Sequence, residues 1–327
     1  MVWWVVFLWA LLKLVIAVLF IVATALILIW MLRKVMGHMQ YRRGPLHHGP
    51  HGIFQTIFDA IKLLGKEDII PNGVDRWTFI WAPIVVFIPT LTVFAFIPFA
   101  EKIVAADVEI SLFFVLAIMG LSIISLVMAG WGSNNKYALL GGLRSAAQMM
   151  SYEIPMIIAS MGVVMMAGSM NFTEIVRAQQ HMWYAVPQIV GFFIFFTASL
   201  AEINSTPFDI PEAESEIVAG FNIEYSGFRF AAFFLAEFVN LFIVCALATL
   251  LFLGGWQPFT NPVYGTIIFL VKTYVLIFLA MWIRSTFPRF RIDQFMDFGW
   301  KVLLPLSLAN LFITGIIVLV VDKIRGV

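Results

Sequence analysis

The residues of greatest chemical interest in this sequence are carboxylates that lie beside apolar runs. Segment 202–228 contains six of them: Glu202, Asp209, Glu212, Glu214, Glu216 and Glu224. Apolar residues such as Phe208 and Ile217 alternate with these acids and favour burial. Carboxyl groups held together in a low dielectric titrate as a coupled set with raised pKa values. The segment could therefore hold or transfer protons near neutral pH; the alternative is a solvated acidic loop.

Two prolines divide this acidic segment. Pro207 and Pro211 interrupt any helix that enters it, and Pro211 can begin a short new helix with Glu212 in its first turn. On such a helix Glu212 and Glu216 would share a face, whereas Glu214 would point elsewhere.

Ionisable residues also fall inside the apolar runs. Glu237 and Lys272 each lie several residues into a run, and antiparallel packing could bring them to one depth. Glu153 lies about two turns into another run, in the sequence SYEIP. An ionisable residue inside a membrane is costly and is usually functional. The alternative for Glu237 and Lys272 is a structural ion pair between two helices.

Basic residues cluster at the ends of two apolar runs. They are Arg33, Lys34, Arg42, Arg43, Arg284, Arg289 and Arg291. Such residues can anchor a span at the membrane surface, line a pocket for a polar headgroup, or dock an acidic partner. His38, His47, His48 and His51 are neighbours in sequence, but a metal site would need them to converge, and we predict none.

The elements that must position these side chains are membrane spans. The chain has 327 residues, of which 62% are hydrophobic and 12% are charged. Apolar runs long enough to cross ~30 Å of hydrocarbon recur along it. The fold class is therefore an all-α polytopic membrane protein with about eight transmembrane helices in one domain, 1–327. The spans are expected at 10–32, 78–98, 110–130, 146–167, 184–201, 229–253, 263–283 and 300–321.

The segments between the spans differ in charge. Most Lys and Arg residues lie in or beside segments 33–77, 131–145, 202–228 and 284–299. The positive-inside rule places these segments in the cytoplasm and both termini outside. Within 33–77, the spacing of apolar residues from Ile53 to Leu64 predicts an amphipathic helix on the membrane surface, and Asp59 lies on it.

Composition excludes several other classes of site. The net charge of +1 gives no reason to expect nucleic-acid binding. The single cysteine, Cys245, lies in an apolar run, so this chain alone supplies neither a disulfide framework nor a cysteine-ligated metal site. No inverted repeat or pair of broken helices indicates an independent secondary transporter.

Five long motifs resemble the quinone-site membrane subunit, known as the H subunit, of NADH:quinone oxidoreductase, respiratory complex I. They are RKVMGHMQYRRGP, KLLGKEDIIP, GWGSNNKYALLGGLRSAAQMMSYEIP, PFDIPEAESEIVAGFNIEYSG and RSTFPRFRIDQFMDFGWKVLLPLSLAN. The similarity covers roughly residues 25–312. Related subunits occur in the photosynthetic NDH complex and in membrane-bound hydrogenases, and the order and spacing of the motifs favour the quinone-using branch.

The resemblance implies a subunit without a redox centre. With peripheral-arm subunits, one of which carries an iron–sulfur cluster, it would form the chamber in which quinone is reduced. The quinone tail would enter between the first and sixth spans and the amphipathic helix. Residues matching the quinone-channel lining are Arg33, Arg42, Asp59, Arg284, Arg289 and Arg291. Those matching the proton path are Glu153, Glu202, Asp209, Glu212, Glu214, Glu216, Glu224, Glu237, Lys272 and Asp293.

The resemblance also implies partners and a location. The partners are the peripheral arm, small membrane subunits, antiporter-like subunits and the lipid of a bacterial inner membrane. Three positions depart from the family pattern: Leu32 replaces an acid, His47 replaces an arginine, and Ser205 replaces a basic residue. These changes alter the charge expected at the channel mouth. A different function remains open, in which the acids only dock the peripheral arm to the membrane as a scaffold.

Overall fold

The computed structural model describes residues 3–211 and 214–325. In this part of the chain helices dominate and no strand occurs. The helices are α1 (Trp3–Met39), α2 (Gln55–Gly65), α3 (Arg76–Phe96), α4 (Ser111–Gly132), α5 (Lys136–Ala167), α6 (Phe172–Ala178), α7 (Ile189–Glu202), α8 (Glu214–Ile217), α9 (Gly227–Phe252), α10 (Pro262–Thr286), α11 (Ile292–Asp297) and α12 (Leu304–Arg325). A π-helical stretch, Phe298–Leu303, joins α11 to α12.

Among the described residues, seven helical segments are long and apolar enough to cross a membrane. They are α1, α3, α4, α5, α9, α10 and the continuous run from α11 through α12; α7 is a shorter apolar helix of the kind needed for an eighth. The expected all-α polytopic fold is confirmed. The largest difference is in α5, which begins at Lys136 rather than near 146. The Asn135 side chain accepts a hydrogen bond from the Tyr137 backbone N–H and so starts the helix early.

The predicted amphipathic helix is present as α2, with Ile57, Phe58, Ile61 and Leu64 exposed on one side. The acidic segment contains the short helix α8; the predicted first turn at Glu212 lies outside the described residues. Segment 168–183, expected as a loop, contains α6. Asn171 caps this helix by accepting a hydrogen bond from the Thr173 N–H, and Glu174 lies favourably in its first turn.

Two helices organise the bundle. α5 packs against α4, α7 and α12, and α9 packs against α3, α10 and α1. Small residues allow α4 and α5 to approach closely, because a Cβ added at Gly130 would overlap the Ala138 carbonyl. The C-terminal half of α9 is almost entirely buried, whereas α2 and the end of α10 border its N-terminal half. Glu237, the acid described next, lies in this N-terminal half.

Candidate functional site

Two ion pairs with largely buried acids connect the predicted quinone-lining arginines to the predicted proton-path acids. Arg284, in the last turn of α10, places Nη1 2.8 Å from Oε1 of Glu237 on α9. Arg289, in the loop after α10, places Nη2 2.9 Å from Oδ2 of Asp209. The side chains of Glu237 and Asp209 are 17% and 10% exposed. The two residue groups expected from the sequence therefore meet at one place.

Lys272 does not lie near Glu237, which corrects the expectation that the two share a depth. Its ammonium group donates hydrogen bonds to the carbonyls of Leu253, Gly255 and Gln257, just beyond the C-terminal end of α9. Leu253 is about 24 Å from Glu237 along the helix axis, at 1.5 Å per residue. The flexible lysine side chain reaches back toward the N-terminal end of α10, where carbonyls of the preceding loop, which lack helical partners, accept its hydrogen bonds. It also lies over the ring of Trp183.

Arg33 and Asp59 join α1 to the amphipathic helix. Their side chains form an ion pair, and Gln55 adds a hydrogen bond to the other Asp59 carboxylate oxygen. An open cavity of about 370 Å³ lies beside this pair. Its other walls are mostly apolar and come from α1, α2 and α9, including Leu26, Phe230 and Phe234. This is the place where the resemblance predicts that a quinone tail enters.

Two further acids, the buried Glu202 and the partly buried Glu153, lie inside the bundle. Glu202 ends α7, and its side chain is buried with Oε2 lacking a hydrogen-bond partner in the described part of the chain. The Glu153 carboxylate lies against Gly120 of α4, where an added Cβ would overlap it. Gln148 donates to the carbonyls of Ala201 and Phe208 and so fixes the chain that leads from Glu202 to Asp209.

The remaining predicted acids lie nearer the surface. Glu216 pairs with Arg144 of α5 and is 54% exposed, while Asp293 pairs with Arg291 and is 68% exposed. Glu224 accepts a hydrogen bond of 2.7 Å from the Asn135 side chain. Arg42 is exposed. Glu212 lies outside the described residues, and Glu214 is placed only by the backbone of α8.

Two carboxyl groups outside the spans have perturbed pKa values. Burial raises the pKa of Asp209 to about 6, although the positive charges of Arg289 and Arg284 act in the opposite direction. Partial burial also disfavours ionisation of Asp59. At Asp59, however, hydrogen bonds from Arg33 and Gln55 and the positive charge of Arg33 outweigh the effect of burial, and the pKa of the carboxyl group is lowered. Asp209 can therefore exchange a proton near physiological pH, whereas Asp59 stays ionised.

Comparison with known sequences identifies the relatives of this chain. A sequence model of the NADH dehydrogenase family matches residues 12–315. The NADH-quinone oxidoreductase H subunit of Geobacillus kaustophilus (strain HTA426) is 52% identical over 288 residues, covering 87% of this chain and 86% of the relative. The H subunits of Anoxybacillus flavithermus and Bacillus thuringiensis subsp. konkukian are 51% and 52% identical with the same coverage. The chain belongs to the NADH dehydrogenase family.

This result confirms the resemblance to the H subunit and the prediction that the chain is part of an NADH-quinone oxidoreductase, an enzyme complex. With its long apolar helices, it is a multi-pass protein of a bacterial inner membrane. Two neutral positions where the family pattern has charge lie in the interior. Leu32 packs in the main hydrophobic core, and Ser205 is 3% exposed. Neither site would admit a charged side chain without an additional partner.

Several residues at the site were not identified as functional from the sequence. Arg144 was considered only as a mark of topology, yet it pairs with Glu216. Asn135 and Gln148 hold the acidic segment in place. The available signal was their position inside the long motif that ends in SYEIP. The four clustered histidines form no metal site in the described residues, where no group of three potential ligands occurs.

Proposed function

We propose that this chain forms the quinone chamber of a proton-translocating NADH-quinone oxidoreductase together with the peripheral arm. It couples quinone reduction to proton movement through its inner carboxylates. The quinone substrate is proposed because the relatives are named as subunits of NADH-quinone oxidoreductases. The mostly apolar cavity between α1, α2 and α9 supports access for an apolar quinone tail, with Arg33 and Asp59 at its polar side.

The observation that carries this proposal is the Arg284–Glu237 ion pair. It joins an arginine of the quinone-lining group to an acid inside α9 at 2.8 Å. Quinone reduction consumes protons and changes the local charge. A change of charge in the quinone chamber near Arg284 alters the protonation of Glu237, because opposite charges at this distance interact strongly in a low dielectric. The paired residues can thus pass an electrostatic signal from the chamber into the bundle.

The proton path then runs through Asp209, Glu237, Glu202 and Glu153, the more buried of the predicted acids. The long loops face the cytoplasm, where a partner subunit supplies the iron–sulfur cluster, and both termini lie outside. Protons or the electrostatic signal continue toward small and antiporter-like membrane subunits. Arg42 and Arg291 would contribute positive charge at the quinone side, while Lys272, with three carbonyl partners, stabilises the outer end of α9.

A second role is favoured by the exposure of part of the acidic set. Glu216 and Asp293 are more than half exposed, as expected of residues that dock a partner. Glu212 and Glu214 belong to the same acidic segment as Glu216. We therefore propose that these outer acids contact the peripheral arm, and that the inner acids perform the coupling.

The test is quinone reduction and proton pumping by the assembled complex carrying Arg284→Ala or Glu237→Gln. We expect the arginine variant to lose quinone reduction by at least about tenfold, a rise of about 1.4 kcal/mol in the barrier, because the positive charge paired with Glu237 is removed. The glutamine variant should reduce the number of protons pumped per electron. Arg177→Ala is the control, because it breaks an exposed ion pair with Glu101 at the opposite end of the helix bundle. This variant should leave quinone reduction and the number of protons pumped per electron unchanged. Normal pumping by the glutamine variant at full turnover contradicts the role of Glu237.

A further inference from the structure

Asn240 lies one turn beyond Glu237 on α9, on the same face of the helix. It borders two neighbouring cavities inside the bundle. Both cavities are lined by Ser122, Met149, Glu202, Ile203 and Asn240. One of them also touches Glu237, and the other touches Thr90. The cavity that touches Glu237 also touches Glu202 and Asn240, so a single space inside the bundle reaches from one acid to the other.

The polar atoms around this space are incompletely paired. The Thr90 hydroxyl lies 3.1 Å from Oδ1 of Asn240 and 3.1 Å from the Val86 carbonyl, so its single proton is shared between the two acceptors. Asn240 is partly buried at the cavity wall, and its amide nitrogen makes no hydrogen bond to the protein within residues 3–211 and 214–325. Glu202, which is 6% exposed, has Oε2 buried without a partner in the same part of the chain. Buried polar groups are nearly always satisfied by protein or by ordered water.

The space is suited to water. Each cavity has room for at least one water molecule, and its walls present the several polar partners that a buried water requires. An amide next to it differs from a carboxyl group in one important respect. It can hold and orient water, but it does not titrate near neutral pH and so does not retain the proton.

We propose that Asn240 is a positioning residue that holds water between the carboxyl groups of Glu237 and Glu202. The amide nitrogen donates to the water, and Oδ1 faces the Thr90 hydroxyl. Glu202 accepts a hydrogen bond from the same water and thereby satisfies its unpaired oxygen. The inference rests on the proposed function, because the water matters only if protons move between these two acids.

The test compares Asn240→Leu with Asn240→Ser in the assembled, reconstituted complex. Leucine has the same branched shape and number of heavy atoms but no polar atom, whereas serine keeps a hydroxyl and leaves space for water. We expect Asn240→Leu to slow coupled quinone reduction by roughly fivefold, equivalent to one hydrogen bond of about 1 kcal/mol. It should also lower the proton-to-electron ratio. Asn240→Ser should retain most of the quinone reduction rate and of the proton-to-electron ratio. If the leucine variant does not assemble, Asn240→Val replaces it in the comparison.

The matched control is Asn310→Leu. Asn310 donates to Gln188 at 2.8 Å between other helices, away from the cavity. This variant should lose stability but keep the proton-to-electron ratio. Normal coupling in Asn240→Leu, or equal losses in the leucine and serine variants, would overturn the proposal. If Glu237→Gln pumps normally, the proposed function itself fails; if only the Asn240 variants behave normally, the inference alone fails.

Discussion

The Arg289–Asp209 pair provides the sharpest quantitative prediction, because its acid titrates near physiological pH. Replacing Arg289 with glutamine removes the charge but preserves a side chain able to form hydrogen bonds. The Asp209 carboxyl group would then remain buried with one fewer positive neighbour. Its Oδ1 is already buried without a partner in the described part of the chain, so little compensation is available nearby. We expect Arg289→Gln to raise the pKa of Asp209.

The magnitude follows from the environment of the carboxyl group. Burial raises the pKa of Asp209 from 3.8 to about 6, a change of about 3 kcal/mol against ionisation in the fold. A contacting opposite charge lowers a carboxyl pKa by about 1 to 3 pH units. Arg289 is 43% exposed, so solvent screens its charge. Its effect on the pKa of Asp209 should therefore be near the lower limit of this range, about 1 pH unit. The pKa in the variant should therefore be about 7.

The sign of the pH effect follows from the raised value. Between pH 3.8 and about 6 the folded state holds a proton on Asp209 that the unfolded state has released. The contribution of this residue to stability consequently falls as pH rises through that window. In Arg289→Gln the window should extend upward to about pH 7, because the acid loses the charge that favours its ionised form.

Infrared difference spectroscopy of the purified complex measures this titration through the carbonyl stretch of the protonated acid. Asp209→Asn assigns the band, since it removes the titrating group. Arg291→Gln is the matched control, because Arg291 pairs with the exposed Asp293 and not with Asp209. An Asp209 midpoint that is the same in Arg289→Gln as in the unchanged protein would refute this reasoning.

Two further predictions concern other parts of the fold. Arg33→Ala should return the lowered pKa of Asp59 toward its ordinary value of 3.8. It should also remove the stabilisation that the ion pair gives the folded protein at pH values above 3.8. Loosening of α2 should then appear as faster amide hydrogen exchange there, and unchanged exchange would contradict the role of the pair. Lys272→Met should lower the thermal stability of the complex by about 3 kcal/mol, because three charge-assisted hydrogen bonds are lost. An unchanged melting temperature would show that the carbonyls are satisfied in another way.

The sequence alone determined the membrane fold and most of the span positions. Long apolar runs have few stable alternatives in lipid, since every backbone polar group must be satisfied within the helix. The amphipathic spacing in α2 was equally informative, because it depends only on residues in one helix. Local capping was harder to predict. Asn135 and Asn171 start α5 and α6 through single hydrogen bonds, and hydropathy does not report such bonds.

Only the tertiary structure decided which charged residues are partners. Glu237 was expected near Lys272 from depth alone, but it pairs with Arg284, because the lysine side chain reaches outward to the carbonyls beyond the end of α9. Depth along a helix does not specify the rotation of the helix or the reach of a long side chain. The cavity at Asn240 was likewise absent from the sequence prediction. Its walls come from several helices, so the space arises from how those helices pack and not from any pattern within one of them.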